Sequence, residues 1–115
     1  FMHIFKVTEN CIQKGITKLV YLNEELIGFY SFLKHDADLE LDMFFIDPKY
    51  IGKGFGRKIW DLCLTTMHDL GCVSFYLIAD PNANLFYEKM GCVKIGKKIS
   101  EMGINRINNI YRYNV

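Results

Sequence analysis

An α+β sandwich on a mixed, mostly antiparallel sheet is the fold class that this 115-residue sequence predicts, and three observations predict it. Runs of β-branched and aromatic residues crowd the first half, bounded by short polar links. Between residues 55 and 70 the apolar repeat changes from two to 3.6, with Ile59, Leu62, Cys63, Thr66, Met67 and Leu70 on one stripe. Strand-like runs then return, so a helix of crossover length sits between two strands of one sheet, which makes that pair parallel.

Each element has a local reason. Thr8, then residues 9–14 and Gly15, read as a short helix with a cap at each end. Residues 16–22 and 26–33 are strands joined by a polar link of hairpin length. Residues 40–46 alternate at first and are then apolar on both faces, as an internal strand is, and Asp47-Pro48 ends them. The helix over 55–70 stops at Gly71, residues 73–79 form a strand, and a shorter helix over 82–90 closes on Gly91. Two last strands cover 92–99 and 105–115. The expected order is β-β-β-α-β-α-β-β, in a single domain spanning 1–115.

Composition excludes several functions. The formal charge is +1, with 14 Lys and Arg against 13 Asp and Glu, which argues against nucleic acid as a partner. With 50% hydrophobic and 15% aromatic residues, the chain can bury roughly two-thirds of its unfolded surface. No apolar run approaches the ~18 residues of a membrane span and no signal-peptide pattern opens the chain, so no membrane role and a cytoplasmic location are expected. Cys11, Cys63, Cys72 and Cys92 are too scattered for a zinc knuckle and are read as reduced, mostly buried hydrophobes. His3, His35 and His68 share no ligand spacing, so no metal site is expected.

One stretch demands a functional account. In Tyr50-Ile51-Gly52-Lys53-Gly54-Phe55-Gly56-Arg57-Lys58, glycine recurs at every second position just where the long helix begins. Glycines let backbone approach a ligand closely, and a helix N-terminus offers free N–H groups and the positive end of its dipole. That is a phosphate cradle, with Lys53, Arg57 and Lys58 as cations; the other reading is a solvated glycine turn. A Walker A loop is excluded, because no Gly-Lys is followed by Ser or Thr at the required spacing. A dinucleotide fingerprint begins with Gly52 and Gly54, but Arg57 occupies its third glycine position and hairpin strands precede it.

The segment Phe44-Phe45-Ile46-Asp47-Pro48-Lys49-Tyr50-Ile51-Gly52-Lys53-Gly54-Phe55-Gly56-Arg57 resembles the acyl-CoA binding motif of the Gcn5-related N-acetyltransferases (GNAT), Q/R-x-x-G-x-G/A, with Ile51 in place of Gln or Arg. Downstream, Asp80-Pro81-Asn82-Ala83-Asn84-Leu85-Phe86-Tyr87-Glu88-Lys89-Met90-Gly91-Cys92 resembles the second motif of that superfamily, with Asp80 where asparagine is common. The resemblance covers residue 16 to the end. It implies a GNAT-like fold and transfer of an acetyl group from acetyl-CoA, as cosubstrate, to a primary amine of a small molecule or protein. The alternative is a shortened CoA-binding or interaction module without turnover.

The resemblance also implies roles. Phe44, Phe45 and Ile46 supply backbone to the pantetheine amides, and Ile51, Gly52, Lys53, Gly54, Phe55, Gly56 and Arg57 hold the pyrophosphate. Tyr87 is the general acid, protonated at neutral pH with an ordinary pKa of about 10, or a tyrosine that orients the sulfur or merely packs over the sheet. Glu40 aligns with a catalytic glutamate of the histone acetyltransferase branch, with Asp42 as the alternative base and a solvated strand charge as the other reading of both. Asn82 and Asn84 either contact the cofactor arm or cap the second helix. Family domains ordinarily open with a strand and two helices, for which the fifteen residues before Ile16 leave little room. The edge of the strand at 16–22 is therefore expected to be unpaired and able to form a homodimer.

Overall fold

The computed structural model describes residues 4–12, 14–99 and 107–115. In chain order come β1 (Phe5–Ile12), β2 (Gly15–Leu22), β3 (Glu25–His35), β4 (Asp38–Ile46), α1 (Phe55–Asp69), β5 (Ser74–Ala79), α2 (Asn84–Lys89), β6 (Val93–Ile99) and β7 (Ile107–Asn114). The described strands form one seven-stranded sheet in the order β1-β2-β3-β4-β5-β7-β6. Neighbours run antiparallel except β4 and β5, as the crossover predicts. Residues 105 and 106 of the expected last strand lie outside the described residues.

One element is corrected. Residues 9–12 of the helix expected over 9–14 belong to strand β1, paired with β2 through all eight of its residues, and residue 13 lies outside the described residues. So short a helix is marginal alone, whereas Val7, Thr8, Cys11 and Ile12 suit a strand and β2 offers a full ladder. The edge of β2 is thus occupied, and β1 carries the outer edge on that side. Among the described residues no helix lies before β4; α1 and α2 both follow it.

The core lies between one sheet face and the helices. Ile59, Trp60, Cys63, Thr66 and Met67 of α1 are buried, and each large apolar side chain removed from water contributes roughly 1.5–3 kcal/mol. From β3, Tyr30 sends its hydroxyl under α1, 2.8 Å from Thr66 Oγ1, and donates to Leu62 O at 3.1 Å. Gly28 lets α1 come this close: a Cβ there would stand 2.4 Å from Phe45 O and 2.9 Å from Ile59 Cδ1. Gly28→Ala is expected to lower unfolding stability by about 2 kcal/mol in urea titration, since a backbone oxygen cannot rotate aside; an unchanged midpoint would refute this packing.

The apolar stretch of β4 has another cause than burial on both faces. Ser31 pairs with Met43 and Phe32 with Leu41, leaving Asp42 as a bulge. The bulge resets the alternation, so Leu39 and Leu41 before it and Phe44 and Ile46 after it all face the core. Met43 and Phe45 face the opposite way, each 46% exposed, with Phe45 stacked on Phe29.

Candidate active site

The site begins where the sheet opens. Strand β4 pairs with β3 from end to end, but with β5 only at Glu40 and Tyr76. Beyond that bridge the backbone of residues 41–46 has no strand partner on its β5 side. Phe44 bridges the opening, with its ring centroid 5.6 Å from Trp60, 5.4 Å from Phe86 and 6.4 Å from Tyr87. The indole Nε1 of Trp60, whose ring packs on Phe44, and the Oδ1 of Asn84, the first residue of α2, are buried without hydrogen-bond partners.

At the end of β4 the chain turns into the glycine loop. Asp47 accepts from Lys49 N at 3.0 Å and caps the 3-10 turn Pro48–Tyr50. Glu25 ties that turn to the β2–β3 hairpin, accepting from Tyr50 Oη at 2.7 Å and Lys49 Nζ at 2.9 Å. Gly52 and Gly54 have φ of 80° and 84°, a conformation that side chains resist, and a Cβ on either would meet nothing within 4 Å. Gly54 is the N-cap of α1, and no side chain caps the helix. The third glycine has a different purpose: a Cβ on Gly56 would lie 3.2 Å from Phe86, so it lets α1 sit against α2.

The remaining candidates of the loop divide. Ile51 is 60% exposed, and Lys53 is exposed in the turn. Arg57 lies at the helix start with Nε 3.6 Å from Asp61 Oδ1. Phe55 packs its ring edge-on against Phe5 and Tyr50. Lys58 holds its Nζ 5.1 Å above the Phe5 ring.

On α2, Tyr87 is buried among Phe44, Trp60, Phe86 and Tyr111. Burial pushes its hydroxyl pKa well above the ordinary tyrosine value, with neighbouring Cys63 and Cys92 adding to the rise. Neither asparagine caps α2. Asp80 caps the preceding 3-10 turn by accepting from Asn82 N at 2.9 Å, and Ala83 is the N-cap of α2.

Glu40 lies on the other face of the sheet from Tyr87, so the two candidate catalytic groups are not in contact. Its Oε1 is 2.7 Å from His35 Nε2 and 3.5 Å from the Tyr76 hydroxyl. Asp42, the alternative, is exposed on the bulge. Beside Glu40, Arg112 donates to Asp38 at 2.6 and 3.4 Å and to Ser74 Oγ at 2.8 Å. That guanidinium holds the Asp38 carboxyl below the usual range. Sequence reasoning weighed His35 as a lone histidine and missed Tyr76 and Arg112; the β3–β4 hairpin brings His35 to Glu40 five residues on, whereas only the registers of β4, β5 and β7 add Tyr76 and Arg112.

A sheet that opens at its one parallel pair, with a glycine-capped helix at the mouth, defines the class of the Gcn5-related N-acetyltransferase fold. A family model for the acetyltransferase (GNAT) domain matches residues 2–109, and the chain belongs to that family. It is similar to a GNAT family acetyltransferase from Elizabethkingia anophelis with acetyl-CoA bound, at TM-score 0.79 and 13% identity over 96% of this chain and 98% of that one. A streptothricin acetyltransferase from Bacillus anthracis, so described and in complex with acetyl coenzyme A, aligns at TM-score 0.78 and 18% identity over 90% of this chain. A GCN5-related N-acetyltransferase from Rhodopseudomonas palustris aligns at TM-score 0.74 and 24% identity over 88%. The chain spans 64% and 62% of the length of these last two. No curated protein matches it in sequence.

Proposed function

We propose that this chain is an N-acetyltransferase domain that moves an acetyl group from acetyl-CoA to a primary amine. The observation that carries the reading is the coincidence, at one sheet opening, of partnerless β4 backbone, a glycine-capped helix N-terminus and a buried tyrosine. The residues fit the cosubstrate. The first turn of α1, with Lys53 and Arg57, suits a pyrophosphate. Backbone at Phe44, Phe45 and Ile46 suits the amides of the pantetheine arm, and the orphaned Asn84 Oδ1 suits a donor on it, with exposed Asn82 one turn earlier at its side. The GNAT protein of matching length from Elizabethkingia anophelis carries acetyl-CoA.

Chemistry divides between the two faces. The amine must be neutral to attack the thioester, and the departing thiolate needs a proton. Tyr87 stays protonated at neutral pH and supplies that proton. Glu40 provides the negative charge that draws a cationic amine, because Arg112 already neutralises Asp38. A cytoplasmic location is part of this reading; among the described residues no helix is long and apolar enough to cross a membrane.

A second reading has its own observation. Met43 and Phe45 stay half exposed on the face that no described helix covers, which suits a CoA-binding or interaction module with an open acceptor side. A homodimer, if formed by strand pairing, uses the β1 edge instead of the β2 edge. The experiment is calorimetric titration with acetyl-CoA, with NADH as control, followed by an acetylation assay over a panel of amines. Micromolar acetyl-CoA binding with turnover of at least one amine is expected. Binding without turnover selects the second reading, and a folded protein that binds no acetyl-CoA refutes both.

A further inference from the structure

His35 ends β3 and pairs across the hairpin with Asp38, on the same sheet face as Glu40. Its Nε2 lies 2.7 Å from Glu40 Oε1, the oxygen that the Tyr76 hydroxyl also approaches. The Glu40 side chain is 16% exposed and that of His35 50%. The carboxylate is thus drawn into the sheet with its contacts on one oxygen, while the imidazole stands at the open face.

We propose that His35, through Nδ1, takes the proton from the acceptor amine, and that Glu40 is the positioning residue that orients the ring. This rests on the acetyl-transfer reading above. A carboxylate facing one ring nitrogen requires an N–H there, so the neutral ring keeps its proton on Nε2 and leaves the Nδ1 lone pair free. In the step, an N–H bond of the ammonium breaks and an Nδ1–H bond forms. The amine nitrogen keeps the electron pair for attack, and Glu40 stays ionised and holds the imidazolium, the logic of a carboxylate–histidine pair. A carboxylate, ordinarily of pKa about 4.3, is a weak base for an ammonium, and an imidazole, ordinarily about 6.5, is nearer the task.

Among the described residues, Glu40 meets His35 and Tyr76 and no lysine or arginine. Asp38 of β4 is paired with Arg112 of β7 at 2.6 Å. Tyr76 of β5 lies with its ring centroid 6.3 Å from that of His35 and beneath Arg112 at 5.8 Å. Lys14, Lys34 and Asp36 line the shallow hollow in front of the imidazole.

The test joins kinetics with nitrogen-15 NMR, using an amine from the panel that the parent acetylates. In the parent, kcat/KM should rise with pH along a limb that His35→Gln removes, with kcat lowered on the order of 100-fold and KM for acetyl-CoA unchanged. Added imidazole should restore part of the His35→Ala rate. Resting spectra should show the proton on Nε2, and Glu40→Gln should mix the tautomers while keeping the limb. An active parent with an indifferent His35→Gln, a limb lost only in Glu40→Gln, or a proton on Nδ1 at rest overturns the proposal alone. A parent that acetylates no amine overturns the acetyl-transfer reading and this role with it.

Discussion

Gly54→Glu should fold and lose at least about 100-fold in acetyl-CoA affinity, some 2.7 kcal/mol, in a calorimetric titration. Two effects act together. Residue 54 has φ of 84° at the N-cap of α1, and a side chain in the left-handed region costs roughly 1–2 kcal/mol, so the loop is biased away from its present shape. The new carboxylate also projects into open space, since nothing lies within 4 Å of the Cβ position. There, on the proposed reading, it would meet the charge of a pyrophosphate seated at the helix N-terminus and Arg57. Because that space is empty, the core is untouched and the melting temperature should fall by only a few degrees. Affinity retained within a factor of three would show that the pyrophosphate does not sit on this helix.

Tyr87→Phe should lower kcat by roughly 100-fold, the lower end of what a positioned general acid contributes, with KM for acetyl-CoA within a factor of two. The ring keeps its contacts with Phe44, Trp60 and Tyr111, so stability should change by less than about 1 kcal/mol. The pH dependence has a definite sign. The folded-state pKa is raised by burial, so the hydroxyl is protonated throughout the neutral range and gives no limb between pH 6 and 9. The stability linked to this group is complete below pH 10, where an unfolded tyrosine begins to ionise, and is lost as pH rises toward the folded value. A parental rate in Tyr87→Phe would reduce Tyr87 to a packing residue, and the proton for the thiolate would come from elsewhere.

Much of the site was readable because its signals are local. The run Gly52-Lys53-Gly54-Phe55-Gly56 announces a loop meeting a helix, since alternating glycines and the switch from a repeat of two to 3.6 are adjacent in the chain. The sequence could not say that the three glycines serve two purposes. Gly52 and Gly54 need positive φ, whereas Gly56 only makes room for Phe86, which lies thirty residues away in the chain. Lys58, a loop cation by its place in the sequence, also sets its ammonium over the Phe5 ring of β1, a contact that its place in the loop does not announce.

The sequence alone determined which segments prefer strand or helix wherever a segment is long enough for its periodicity to dominate. The stripe of α1, the strands β2 to β5 and the single parallel crossover belong here, as do the glycine loop and the position of Tyr87 on a short helix. Tertiary structure decided what depends on a partner. Residues 9–12 could be helix or strand on propensity alone, and the ladder offered by β2 selects strand. The bulge at Asp42 shows only in the β3–β4 register, and it is what lets Leu39 and Leu41 before it and Phe44 and Ile46 after it face one core. His35 reaches Glu40 across a single hairpin, but Tyr76 joins them only because the β3–β4 and β4–β5 registers coincide at the closed end of the opening, and the second of these registers links residues that no window of the sequence contains.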